Sequence, residues 1–194
     1  MPKVSGGSLA AHRREMRRRI FDALVSLVYG RGYDSVTLAD VAAEAGLART
    51  AIYNYFGDKE TLLVEFVRHE TSTYLARLQA ALAEVEDPVE QLTTYVRMQL
   101  EYFESNHLPP GPALQYLMGE DAYRAVLDHV GDLEALLRSV VEAGVEAGAF
   151  AVDDLDAAMP LVVACLARPR PPDAPVDEVV ATTMEFVTRA LGAR

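Results

Sequence analysis

The sequence has little of what secreted, disulfide-bonded and membrane proteins need. Its single cysteine, Cys165, excludes a disulfide framework within the chain and fits a reducing cytoplasm. No stretch reaches the roughly 18 consecutive apolar residues that span a membrane, so we expect no membrane contact. The charged first residues lack the apolar core and the cleavage pattern of a signal peptide, and we expect none.

Patterns of β-structure and of catalysis are also scarce. Strict alternation of apolar and polar residues is almost absent, so strands are not expected. The sequence has no glycine-rich phosphate loop and no nucleophile elbow. His69, His107 and His129 stand singly, without the spacing of metal ligands. We therefore expect a protein that is not an enzyme and that needs neither a cofactor nor a metal.

Helical periodicity runs through nearly the whole chain and predicts an all-α fold of about nine helices. Thr37 with Asp40 forms a capping-box pattern, Asp58 is a further helix start, and Gly46 and Gly148 are stops. The predicted helices cover residues 9–30, 37–45, 48–55, 58–85, 88–106, 113–129, 131–147, 157–167 and 176–191. We assign residues 1–57 to a first domain and residues 58–194 to a second.

A net positive balance of charge occurs only at the N-terminal end of the chain. Residues 1–57 hold 8 Lys and Arg against 5 Asp and Glu, a balance of +3, and residues 58–194 hold 10 against 24, a balance of −14. This asymmetry indicates either an anionic partner at the N-terminal end or a chance cluster of arginines on an exposed helix. The arginine cluster consists of Arg13, Arg14, Arg17, Arg18 and Arg19. It either follows a phosphate backbone or forms a solvated helix end.

Two short helices joined through the segment EAGLA predict a helix-turn-helix. Gly46 stands where a tight turn is needed, and Leu47 can fill the angle between the two helices. The second helix of such a motif enters the major groove with its first residues against the base edges. Here these residues are Ala48, Arg49, Thr50 and Ala51. Arg49 can pair with a guanine, and Thr50 can contact a base or a thymine methyl group.

An aromatic group follows directly. Ile52 and Phe56 are four positions apart and are expected to face the core. Tyr53, Asn54 and Tyr55 then point towards the DNA, where phenol hydroxyls can donate to phosphates, as can Lys59 in the next helix. The alternative is a hairpin of helices whose tyrosines only cover a junction.

The stretch VTLADVAAEAGLARTAIYNYFGDKETLL, residues 36–63, resembles the signature of the TetR family of bacterial transcriptional repressors. The resemblance extends from about residue 20 to about residue 63 and implies a two-domain homodimer with a variable ligand-binding domain. It implies that Arg49, Thr50 and Ala51 face bases. The residues that it implies for phosphate contacts are Thr37, Tyr53, Tyr55 and Lys59.

One position departs from that pattern. The family often has Ser or Thr where this chain has Ala48. A missing hydroxyl at a helix start removes an N-cap worth roughly 0.5–2 kcal/mol. It also removes a candidate phosphate contact.

The last two predicted helices are candidates for a dimer interface. The run AAMPLVVACLA at 157–167 is apolar on all sides, which predicts burial on every side. Helix 176–191 carries a broad apolar stripe. Residues 154–167 and 176–191 could form a four-helix interface with a second copy, or could complete the core of one chain.

A mixture of Met and Tyr in the middle helices predicts an adaptable, mostly apolar pocket for a small-molecule effector. The candidate lining residues are Tyr95, Met98, Tyr102, Leu114, Leu117, Met118 and Tyr123. Each of them could instead be plain core.

The sequence therefore predicts a ligand-responsive regulator, most simply a repressor, that binds double-stranded DNA as a homodimer in the cytoplasm. A small, largely apolar effector would release it from a near-palindromic operator. The alternatives are an all-helical interaction protein and an activator without ligand-controlled repression.

Overall fold

The computed structural model describes residues 6–105, 120–166 and 173–193 of the 194-residue chain. These residues form seven α-helices and two short 3-10 helices, with no strand among them. The α-helices are α1 Gly6–Arg31, α2 Leu38–Glu44, α3 Lys59–Ala83, α4 Pro88–Ser105, α5 Glu120–Glu146, α6 Leu155–Leu166 and α7 Val176–Ala190. The 3-10 helices are η1 Tyr33–Ser35 and η2 Ile52–Asn54.

Side-chain caps set the starts of four helices. Thr37 and Asp58 cap α2 and α3 by accepting a hydrogen bond from the backbone three residues on. Asp87 accepts from the N–H of Glu90 at 2.8 Å at the start of α4, and Asp154 accepts from the N–H of Ala157 at 2.9 Å at the start of α6. Each cap satisfies a backbone donor that the first turn of a helix leaves without an intrahelical partner.

The first core joins α1, η1, α2, η2 and the beginning of α3. Its most deeply buried side chains include Ile20, Val41, Ile52, Phe56 and Leu62. Residues 9–15 of α1 are all exposed, so the contact of α1 with this core begins at Met16. The N-terminal turns of α1 therefore extend beyond the core, and the arginine cluster spans the point where they leave it.

The second core lies between α3, α4, α5, α6 and α7. Its fully buried side chains include Leu78, Leu92, Leu137 and Leu191. α3 belongs to both cores, because Leu62 to Val67 pack in the first and Tyr74 to Leu82 in the second. The domain boundary expected between residues 57 and 58 falls just before this shared helix and stays a prediction.

The all-α class is confirmed, but the described residues contain seven α-helices where the sequence predicts about nine helices. Helices predicted at 113–129 and 131–147 are a single helix, α5, from Glu120 to Glu146; residues 113–119 lie outside the described part of the chain. The break expected near Gly131 does not occur. A glycine such as Gly131 costs a helix only about 1 kcal/mol relative to alanine. Leu133 and Leu137, two and six residues further on, are buried in the second core and hold the helix together.

The apolar run at 157–167 is not buried on every side within one chain. Met159, Val162 and Leu166 lie in the second core, whereas Leu161 is 69% exposed. Pro160 stands inside α6 and is exposed. One face of this helix therefore remains without an apolar partner among the described residues.

Candidate nucleic-acid interface

The first helix of the motif, α2, starts in a complete capping box. The N–H of Asp40 donates to Thr37 Oγ1 at 3.2 Å, and the N–H of Thr37 donates to Asp40 Oδ2 at 2.9 Å. Arg31 Nη2 lies 3.2 Å from the same carboxylate oxygen. The hydrogen bonds from Thr37, followed by Arg31, hold the pKa of Asp40 below its usual value. Thr37 is exposed, so its phosphate role stays a prediction beside this capping role.

The turn after α2 has the expected glycine geometry. Gly46 has φ +69°, a conformation that other residues rarely adopt. The N–H of Leu47 donates to the Ala42 carbonyl at 2.7 Å and the N–H of Gly46 donates to the Ala43 carbonyl at 3.1 Å, which is a Schellman ending. Leu47 is half-buried against the first core, as the helix-turn-helix pattern requires.

The recognition segment, residues 48–56, is less regular than the α-helix predicted for 48–55. It consists of a turn at 49–51 followed by the 3-10 helix Ile52–Asn54. The N–H of Ala51 donates to the Ala48 carbonyl at 2.8 Å, and the N–H of Asn54 donates to the Ala51 carbonyl at 3.1 Å. So short a segment, without a side-chain N-cap, favours the tighter bonds of a 3-10 helix.

The side chains of this segment divide between core and solvent. Ile52 and Phe56 are fully buried in the first core. Ala48, Arg49, Thr50, Tyr53 and Asn54 are exposed, and Ala51 is half-buried. Tyr55 is also half-buried and packs against the first core, so it presents less surface than Tyr53.

The side chain of Lys59 packs against η1. Its Nζ donates to the Tyr33 carbonyl at 3.0 Å and lies 4.0 Å from the centroid of the Tyr33 ring. Burial of that ring, followed by the nearby charges of Glu60, Asp58 and Asp34, raises the pKa of Tyr33 to about 12. An ammonium group has three donors, so two remain for a phosphate after the bond to Tyr33.

The four effector candidates that the structure describes pack against two different cores. Tyr95 is buried in the second core and its hydroxyl donates to the Leu133 carbonyl at 3.1 Å, while Met98 packs against the same core. Tyr102 stacks on Tyr74 with ring centroids 4.1 Å apart, and burial raises the pKa of Tyr102 to about 12. Tyr123, near the start of α5, packs instead against the first core.

Three further candidates, Leu114, Leu117 and Met118, lie outside the described residues. Among the residues that the structure describes, no three metal-binding side chains come together. No helix in these ranges is long and apolar enough to cross a membrane.

Two family models match the chain. One, "Bacterial regulatory proteins, tetR family", covers residues 20–66, and the other, "Tetracyclin repressor-like, C-terminal domain", covers residues 113–184. The chain belongs to the TetR family. The first match contains the whole helix-turn-helix, and the second contains α5, α6 and part of α7.

The curated proteins that match this TetR-family chain first are transcriptional regulators. It is 32% identical over 96 residues to the regulator BetI of Brucella anthropi, which covers 50% of this chain and 46% of BetI. The chain thus spans about half the length of the curated relatives that it matches first.

Solved structures match almost the full length. FadR of Bacillus subtilis in complex with stearoyl-CoA has a TM-score of 0.77 at 16% identity, covering 89% of this chain and 98% of FadR. A regulator from Saccharomonospora viridis in complex with choline has a TM-score of 0.74 at 22% identity, covering 93% and 100%. At these identities the likeness establishes the TetR fold alone.

Sequence reasoning did not identify three side chains that shape this TetR helix-turn-helix. Tyr33 holds Lys59, Arg19 contacts Ala45 in the turn before the recognition segment, and Arg17 contacts Phe56 at its end. Tyr33 follows a glycine in an irregular stretch and carries no periodic signal. The two arginines were recognised only as members of a charged cluster, because their partners are far away in the chain.

Proposed function

We propose that this chain is a transcriptional regulator that binds a near-palindromic operator as a homodimer and is released by a small, largely apolar effector. The observation that supports the DNA-binding part best is the recognition segment. Its exposed beginning follows directly on a capped helix and a Gly46 turn, and its buried Ile52 and Phe56 anchor it to the first core. That is the arrangement that presents a helical segment to the major groove.

We propose a role for each candidate DNA-binding side chain. Ala48, Arg49, Thr50 and Ala51 approach the base edges, and Arg49 supplies the bidentate donor for a guanine. The phosphate side is formed by Thr37, Tyr53, Asn54, Tyr55 and Lys59. Phosphate contacts position the protein on the duplex, whereas the contacts of Arg49 and Thr50 carry the sequence preference.

The dimer is proposed to form through residues 154–167 and 176–191, which contain α6 and α7. Each helix turns one large apolar side chain to solvent, Leu161 at 69% and Phe186 at 62% exposure. α6 and α7 pack on each other, so these two faces can combine with those of a second copy into a four-helix interface. A twofold dimer places its recognition segments about one DNA turn, ~34–36 Å, apart.

Effector control is proposed to act through the helices shared by the two cores. α5 contacts the first core at Tyr123 and the second core from Leu133 to Val141, and α3 also spans both. A ligand that favours one placement of these helices would shift the population towards dimers whose recognition segments no longer fit two half-sites. The ligands of the FadR and S. viridis neighbours differ widely, so the fold leaves the effector open.

We place the chain in the cytoplasm and assign it no catalytic step.

The first test of the proposed function is to sequence genomic DNA fragments that the purified full-length chain retains at moderate salt. Recovery of a palindromic sequence is expected, and the genes beside it would narrow the effector class. Retained fragments that share no sequence would contradict the proposal. So would the absence of any retained fragment after the protein has been refolded to remove bound ligand.

A further inference from the structure

Two arginines of α1 contact the chain on either side of the recognition segment: Arg19 contacts Ala45 in the turn before it, and Arg17 contacts Phe56 at its end. Arg19 Nη2 donates to the carbonyl oxygen of Ala45 at 2.5 Å. Ala45 is the C-cap of α2, and the last carbonyls of a helix have no partner within the helix. The Schellman bonds at this turn engage the carbonyls of Ala42 and Ala43, so the guanidinium satisfies a carbonyl that they leave open.

The guanidinium of Arg19 also fills the space beside the turn. A Cβ added to Gly46 would lie 2.7 Å from Arg19 Nη2, which is closer than Cβ atoms approach other groups. Ala48, the first residue of the recognition segment, follows two positions later. Arg19 therefore contacts the end of α2, three residues before the segment begins.

Arg17 acts at the end of the segment. It forms an ion pair with Glu65 of α3. Its guanidinium carbon lies 5.1 Å from the centroid of the Phe56 ring and 5.7 Å from that of Phe21. Such cation–π distances are attractive, so Arg17 joins α1, the last residue of the segment and α3.

The two contacts come from different sides of α1. Consecutive helical residues are rotated by about 100°, so residues two apart project about 200° from one another. The intervening Arg18 forms ion pairs within α1, with Glu15 at 2.9 Å and with Asp22 at 3.3 Å. Arg13 and Arg14 are exposed and form no ion pair within the described ranges.

We propose that Arg17 and Arg19 are positioning residues for DNA recognition and not phosphate ligands: they set the pose of the recognition segment from the turn before it and from its last residue. This inference rests on the proposed function, since it assumes that the segment reads DNA. It changes the interpretation of the arginine cluster, because two of its five members bind the protein's own helix-turn-helix. Both guanidinium groups already have a specific partner, a carbonyl for Arg19 and a carboxylate for Arg17.

Positioning and phosphate binding make different predictions. A phosphate ligand contributes about 0.9 to the slope of log affinity against log salt and strengthens binding to every sequence. A positioning residue instead changes the preference for the operator over other DNA, because it places the base-reading side chains. Preference and salt slope are therefore the two quantities to measure.

The experiment uses the full-length chain and the operator recovered by wild-type selection, with a scrambled duplex for comparison. Affinities for both duplexes are measured over a series of salt concentrations for Arg19→Gln, Arg19→Lys, Arg17→Gln and the matched control Arg18→Gln. We expect Arg19→Gln and Arg17→Gln to lower the operator-to-scrambled ratio by about tenfold, the loss of one well-placed base contact. Their salt slopes should equal that of the wild type.

Arg19→Lys should recover most of the ratio, because an ammonium can still donate to the Ala45 carbonyl. Arg18→Gln removes the same charge from the same cluster and should leave the ratio unchanged. A fall in slope of about one for Arg19→Gln would identify a phosphate ligand and overturn the inference. An equal loss of the ratio in Arg18→Gln and Arg19→Gln would also overturn it, and so would an unchanged ratio in either Arg17→Gln or Arg19→Gln. The same holds if the circular dichroism spectrum of Arg17→Gln or Arg19→Gln shows that the variant no longer folds.

The wild type separates this inference from the function on which it depends. If wild-type protein prefers no sequence, the proposed function fails and the inference fails with it. If the wild type prefers its operator and Arg19→Gln keeps that preference, only the positioning role is wrong.

Discussion

At the scale of single residues, Arg49 is the side chain whose loss should change sequence preference most directly. It is exposed at the start of the recognition segment, where a guanidinium can pair with a guanine. We expect Arg49→Ala to cost about 1–3 kcal/mol of discrimination at one base pair and little at the others. The measurement is a set of dissociation constants for operators altered one base pair at a time.

Arg77→Ala is the matched control for Arg49→Ala, since Arg77 is an exposed arginine of α3 in the stretch that packs in the second core. It should leave every dissociation constant unchanged. A uniform loss over all altered operators in the Arg49 variant would show that Arg49 contacts the backbone rather than a base.

Lys59 should behave in the opposite way. Lys59→Ala is expected to weaken binding to operator and scrambled DNA alike and to lower the salt slope by about one. It should also lower the melting temperature, because it removes the hydrogen bond to the Tyr33 carbonyl and the contact with the Tyr33 ring. Fluorescence anisotropy over a salt series and a thermal melt measure both effects.

Tyr33→Phe is the control for the contacts that hold Lys59. It keeps the ring and the backbone carbonyl, so Lys59 stays in place and both measurements should match the wild type. If Lys59→Ala instead abolishes the preference for one base pair as Arg49→Ala does, the division between the two roles is wrong.

At the scale of elements, the starts of α2 and α3 depend on ionised carboxylates. Hydrogen bonds from Thr37 lower the pKa of Asp40, and the backbone hydrogen bond from Thr61 lowers the pKa of Asp58. A carboxylate whose folded pKa lies below its unfolded value, about 3.9 for Asp, stabilises the protein above that pH. Its contribution is lost as the pH falls through the folded pKa.

We therefore expect the melting temperature to fall as the pH is lowered from about 5 towards 2, and to fall less steeply in the double variant Asp40→Asn, Asp58→Asn. Circular dichroism melts at a series of pH values measure this. Asp132→Asn, at an exposed position within α5, should keep the wild-type dependence. Parallel curves for the wild type and the double variant would mean that other groups determine the acid sensitivity.

The elements also show what could be predicted from the sequence. The bounds of α2 were predictable because Thr37, Asp40 and Gly46 act on backbone groups within a few residues of themselves. The continuity of α5 through Gly131 was not, because it depends on packing in the second core by residues that only the fold brings together. The contacts of Arg17 and Arg19 were equally hidden, since their partners lie 48 and 26 residues away.

At the scale of the whole molecule, two helices connect the part that would read DNA with the part that would bind an effector. α3 contributes to both cores along its length, and α5 reaches the first core near its start, where Tyr123 packs against it. A displacement of α5 in the second core would therefore also move Tyr123, which packs against the first core. Coupling between distant sites requires an element with two stable arrangements, and this contact is our candidate for it.

The assembly of two copies gives the last prediction. Leu161 and Phe186 are large apolar side chains exposed on α6 and α7 of one chain. A stable dimer buries about 800 Å² on each partner, and a charge placed in such an apolar contact without a partner is costly. We expect the wild type to sediment at twice the chain mass of 21.2 kDa and the double variant Leu161→Glu, Phe186→Glu to sediment as a single chain.

The same double variant should bind one operator half-site as the wild-type recognition segment does, but should lose the added affinity of the full palindrome, because the two segments are no longer linked. Leu127→Glu, at an exposed leucine of α5, is the matched control and should remain a dimer. Analytical ultracentrifugation and binding to half-site and full-site duplexes measure the two effects. A double variant that still sediments as a dimer would place the interface elsewhere, and α6 and α7 would then serve only to complete the second core.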